Sequence, residues 1–144
     1  MKITSVFENN SRIPRKYTCD GENINPPLFF ADVPQNAKSL VLIVDDPDSP
    51  TGTWDHWIVS DINPEIKGIS ENSVPEGAIL GRTTFGKANY GGPCPGSGSH
   101  HYHFKLYALD KVLALTDSDK VTLEKGMKGH VLEAAKLIGL YSRT

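Results

Sequence analysis

GGPCPGSGSHHYHFKLYALD, Gly91 to Asp110, is the stretch on which the reading of this chain turns. Its second half predicts a strand from His100 to Leu109. Side chains alternate with period two along a strand, so His100, Tyr102, Phe104, Leu106 and Ala108 share one face. Phe104 and Leu106 make that face a core face, and His100 and Tyr102 sit at its mouth. The first half holds glycines at 91, 92, 96 and 98, which free the backbone to bend. Clustered N–H groups of such a loop can form a concave anion site. A glycine-rich loop alone reads as flexible surface. One running straight into two polar side chains on a core face predicts a pocket.

Upstream, SLVLIVD (Ser39 to Asp45) is short and continuously apolar in its middle, which fits a central strand covered on both faces. Trp54 to Ile62 alternates less cleanly, yet its Trp, Ile and Val residues favour a strand. A further strand is expected near Ala78 to Thr83, because a compact domain does not hold a loop as long as Asn63 to Ser99. Downstream, Leu123, Met127, Val131, Ala135 and Ile138 recur at helical spacing. They predict one helix with Thr122 as N-cap and Gly139 as its stop. Gly126 and Gly129 weaken it by about 1 kcal/mol each relative to Ala. The expected fold class is therefore mostly β: two packed antiparallel sheets with a C-terminal helix, in a single domain over residues 1–144.

Composition narrows the function. With 15 Lys and Arg against 17 Asp and Glu, the net charge is −2, and no basic stripe is present to neutralise phosphates of nucleic acid. Leu40 to Val44 is the longest apolar run, against the ~20 residues a bilayer span needs, so no integral membrane association is expected. MKITSVFENN carries no apolar signal segment, which predicts a cytoplasmic chain starting at Met1. In that compartment Cys19 and Cys94, far apart and outside any C-x-x-C pair, read as free thiols rather than a disulfide.

Three places concentrate polar groups at strand ends. DPDSP, Asp46 to Pro50, follows the buried strand; by itself it reads as a solvated turn. It is not a calcium loop, since Thr51 stands where that loop needs glycine and Trp57 where it needs glutamate. WDHW, Trp54 to Trp57, places His56 close behind two carboxylates, and a carboxylate can fix its tautomer. The third is the glycine loop with His100 and Tyr102. His101 and His103 share the opposite face, where an H-x-H pair suggests a metal-dependent enzyme using strand residues 100–103. No glutamate follows nearby, and a surface position is the expectation for both. His130 reads as a packing or hydrogen-bonded histidine. No nucleophile elbow, P-loop or dinucleotide fingerprint is present.

DPDSP, WDHWIV and GGPCPGSGSHHYHFKLYALD, in this order and spacing, together with IPRKYTCDGENINPPLFF and the terminal GHVLEAAKLIGLYSR, closely resemble the phosphatidylethanolamine-binding protein (Raf kinase inhibitor protein) family in its compact bacterial and archaeal form. The resemblance implies a β-sandwich with a small anion pocket at one end. Matched residue by residue, it assigns ligand binding to Asp46, Asp48, His56, Gly92, Pro93, His100 and Tyr102; Gly91 joins them as a backbone N–H donor. It implies a phosphate or phosphoethanolamine-like ligand, homodimers, and for some members inhibition of a kinase or serine protease. No catalytic residue, metal or cofactor is expected. Many members carry arginine where this chain has His101, and Pro-Pro where it reads Pro95-Gly96. Those departures lower the positive charge near the pocket and loosen its loop. Asp46, an odd neighbour for an anion, is expected to accept a hydrogen bond from His56 or to meet the ammonium of a zwitterionic ligand.

Overall fold

The computed structural model describes residues 1–143. The elements in chain order are β1 (Lys2–Ser5), β2 (Ser11–Arg12), a turn of 3-10 helix (Arg15–Tyr17), β3 (Leu28–Ala31), β4 (Ser39–Asp46) and β5 (Trp54–Ile62). They continue with β6 (Gly68–Ile69), β7 (Ile79–Leu80), β8 (His100–Leu109), α1 (Lys120–Met127) and β9 (Val131–Tyr141). The order β2-β9-β8-β4-β5-β7 makes one sheet and β1-β3-β6 the other. All pairings are antiparallel except β2 with β9, which is parallel.

β4 is central because both of its faces find a partner. Leu40, Leu42 and Val44 join Trp57, Val59, Phe104 and Leu106 in the core between the sheets, where Leu28 and Phe30 of the small sheet meet them. Val41 and Ile43 turn the other way, onto Ile58 and under Leu123 and Met127 of α1. A strand covered on both faces has no solvent side to mark with polar residues, hence its continuous apolar run.

The mostly β fold of two packed sheets holds, but the helix is shorter than its periodicity predicted. It caps on Asp119, whose side chain accepts the Thr122 N–H, and stops at Met127. Gly129 then takes φ +81, and Val131 onward becomes a strand paired with β8 along nearly its whole length. Ten residues of ladder against β8 outweigh a weak helical preference interrupted by two glycines. Gly139, expected to stop the helix, lies inside β9 where Ile13 and Phe7 fill the space a side chain would need.

The cysteines are also a correction. Cys19 and Cys94 form a disulfide across 75 residues of chain. The loop after the 3-10 turn lies against the glycine loop, with the Cys19 N–H donating to the Pro93 carbonyl at 3.1 Å. Sequence separation hid that contact. No helix in the described residues is long and apolar enough to cross a membrane.

Candidate functional site

The ends of β4, β5 and β8 meet at one edge of the sandwich, and the glycine loop closes over them. Asp46, the last residue of β4, is buried, and both of its oxygens are engaged. Oδ1 accepts the Asp48 N–H at 2.8 Å, and Oδ2 lies 2.6 Å from His100 Nδ1. Asp48, two residues on, turns outward. Its Oδ2 accepts the His101 backbone N–H at 2.8 Å and lies 2.6 Å from His101 Nδ1. Those contacts to His101 hold the Asp48 carboxyl below the usual carboxylate range.

His56 arrives by a bulge. Val44 pairs with Trp57 and Asp45 with Asp55, so His56 is left without a partner on β4. Strict alternation would send His56 to the α1 side with Ile58. The extra residue turns it inward instead, a common use of bulges beside functional sites. Its Nδ1 lies 2.7 Å from the Gly91 carbonyl, and the Gly91 N–H donates back to the His56 carbonyl at 2.9 Å. The ring meets Tyr102 and Phe85 edge-on, with centroids 5.2 and 5.3 Å apart. Burial lowers the His56 pKa. The Tyr102 hydroxyl is buried without a hydrogen-bond partner. Burial, and then the Asp46 charge, push its pKa well above the usual tyrosine range.

These side chains enclose a cavity of about 210 Å³. Asp46, His56, His100 and Tyr102 form its polar wall; Ser49, Pro50, Trp54, Phe85 and the segment from Cys94 to Gly96 complete it. Four of the eight residues read from the sequence thus line the cavity. Asp48 does not, and Gly91, Gly92 and Pro93 stand behind the wall. The Gly92 N–H donates to Asn23 Oδ1 at 2.8 Å, so neither the Gly91 nor the Gly92 amide remains free for a ligand. Both glycines serve close packing: a side chain at Gly91 would strike the Phe85 ring, and one at Gly92 the Tyr17 carbonyl and Asn23. The expected Asp46–His56 hydrogen bond is replaced by Asp46–His100 and His56–Gly91. Phe85 and the cystine wall carried no signal in the sequence, since both enter through loops.

Each imidazole faces an oxygen acceptor through Nδ1, so Nδ1 carries the proton and Nε2 is left over. A neutral ring offers Nε2 as an acceptor, a protonated one as a donor. His101 and His103 lie on the other face of β8. His101 is engaged by Asp48, and no group of three or more His, Cys, Asp or Glu among the described residues is placed to hold a metal ion.

Comparison with known proteins gives a consistent result. Residues 3–142 match the family model described as phosphatidylethanolamine-binding protein. A UPF0098 protein of Methanothermobacter thermautotrophicus is 50% identical over 97% of both chains. One from Pyrococcus horikoshii is 52% identical over 99% of this chain and 77% of its own. Among solved structures, a Chlamydia trachomatis homologue of phosphatidylethanolamine-binding protein superposes with TM-score 0.95 at 42% identity, covering 99% of this chain and 97% of the other. Escherichia coli YbcL, described as a member of the mammalian family, gives 0.89 at 28% identity, covering 99% and 98%.

Proposed function

As the chain belongs to the phosphatidylethanolamine-binding protein family, we propose that its 210 Å³ cavity binds a small oxyanion, a phosphate or the phosphate of a headgroup such as phosphoethanolamine. One observation carries this reading: two imidazoles with Nδ1 engaged elsewhere and one partnerless buried hydroxyl converge on a single small cavity. Three such groups can surround a tetrahedral anion. Hydrogen bonds to a charged partner contribute about 1.5–3 kcal/mol each, which supports modest affinity, with Kd between about millimolar and micromolar. The volume lies below the roughly 300 Å³ from which sites for drug-sized ligands run, and it suits a small headgroup. Trp54 and Phe85, 5.6 Å apart at their centroids, give the rim an apolar side against which the carbon part of a phosphate ester can lie.

Binding of a small anion accounts for the cavity without a protein partner, so inhibition of a kinase or serine protease is the lesser reading. The metal-dependent alternative has nothing in its favour, because His101 and His103 face away from the cavity.

An NMR titration of labelled protein with phosphoethanolamine tests the assignment. Saturable shifts centred on the His56 and His100 rings and the amides of Cys94 and Gly96 are expected. No shift at millimolar ligand overturns it.

A further inference from the structure

The cavity wall contains no lysine and no arginine. Lys105 and Lys120 lie on the far face of the sheet. There Lys105 meets Asp45 at 2.6 Å, and Lys120 meets Asp45 at 3.3 Å and Asp55 at 2.8 Å. The Gly91 and Gly92 amides are given to His56 and Asn23, and those of Cys94 and Gly96 in the wall carry no full charge. What remains inside is one carboxylate, Asp46, and two imidazoles. A buried anion without a compensating charge is strongly disfavoured.

We propose that the pocket takes up its oxyanion together with one proton, received on Nε2 of His56, so that occupancy is gated by pH. The proposal rests on the anion-binding reading of the same cavity. His56 is the site of uptake because a proton on His100 would be offset by Asp46 at 2.6 Å, whereas His56 donates to a neutral carbonyl, Gly91, so that a charge on it is left for the ligand. The charged and titratable groups around it are few. β4 presents Asp46, already bound to His100, with Asp45 on the far face. β5 contributes Asp55, paired with Lys120 on that face. β8 presents His100 and Tyr102, and the covering loop gives Phe85 and the Gly91 carbonyl, its Lys87 being exposed. In the empty pocket burial keeps His56 neutral. An oxyanion at Nε2 supplies the counter-charge that is missing, and the proton follows.

Sulfate is the probe, because it does not titrate near neutrality, whereas a phosphate ester gains its own proton around pH 6. Calorimetry with the full chain between pH 5 and 8, in two buffers of different ionisation enthalpy, reads affinity and proton uptake together. About one proton taken up per sulfate, and affinity falling about tenfold per pH unit over the upper part of that range, is the expected result. The His56 imidazole signals of the wild type should titrate at higher pH with saturating sulfate than without. His56→Gln should bind weakly with a flat pH profile, and His130→Gln, on the surface, should keep the wild-type slope. Equal sulfate affinity at pH 5.5 and 7.5 without proton uptake overturns the coupling and leaves the pocket standing. A pH slope retained in folded His56→Gln overturns His56 as the acceptor. No sulfate binding at any pH overturns the pocket reading and the coupling together.

Discussion

Asp46 Oδ2 lies 2.6 Å from His100 Nδ1, joining the end of β4 to the start of β8 across 54 residues of chain. Both side chains are nearly buried, with 5% and 11% of their surface exposed. The contact fixes the His100 tautomer and presents Nε2 to the cavity.

Asp46→Asn removes the carboxylate but keeps the shape. Leaving a buried hydrogen-bonding group without its partner typically costs about 1–3 kcal/mol, and more where a charged group is involved. Asparagine retains part of the hydrogen bonding, so a loss of about 2–3 kcal/mol in urea unfolding is expected, with phosphoethanolamine binding weakened at least about tenfold. Unchanged stability and affinity would remove Asp46 from the site.

The cystine welds the covering loop to the body of the fold. Reduction with a dithiol, or the double change Cys19→Ser with Cys94→Ser, should lower stability by about 2–4 kcal/mol. Hydrogen exchange should quicken first in residues 91–99, because Cys94 sits in the cavity wall. Equal melting temperatures with and without dithiol would count against this.

Gly91 and Gly92 are predicted to differ. A methyl at Gly92 meets backbone of the 17–18 segment and the Asn23 side chain, which are packed and cannot swing aside. Gly92→Ala should therefore cost about 1–3 kcal/mol. At Gly91 the obstacle is the Phe85 ring, a side chain that is 42% exposed and can yield toward solvent more cheaply than backbone can. Gly91→Ala should fold with a loss below about 1 kcal/mol and show its effect in ligand binding.

Acid should weaken the fold through His56. Its folded pKa is depressed by burial, so the unfolded chain takes up a proton first as pH falls below about 6.5, and stability declines until the folded pKa is passed. At higher pH the histidine is neutral in both states and contributes no slope. His56→Gln should flatten that part of the stability profile measured by urea titration between pH 7 and 5. An unaltered profile would show that His56 is not the group responsible.

The helix boundary is testable by truncation of side chains on either side of Gly129. Leu123 is fully buried beneath α1, and Leu123→Ala should cost about 2–5 kcal/mol. Leu132 lies on the open part of β9 and is 36% exposed; Leu132→Ala should cost below about 1 kcal/mol.

By itself the sequence determined the strands β4, β5 and β8, because an apolar run and a period-two face are local patterns that burial imposes residue by residue. Within that frame, DPD before WDHW before the glycine loop was enough to bring Asp46, His56, His100 and Tyr102 to one end of a sandwich. The tertiary structure alone decided how they engage. His56 turns inward through a bulge that exists only in the pairing of β4 with β5, and it shows in the chain merely as imperfect alternation. Asp46 chose His100 over His56, and Cys19 found Cys94, through contacts 54 and 75 residues apart that no local pattern records. Val131 to Ile138 carries helical spacing and yet runs as strand, since the ladder offered by β8 outweighs a local preference of a few tenths of a kcal/mol per residue (roughly).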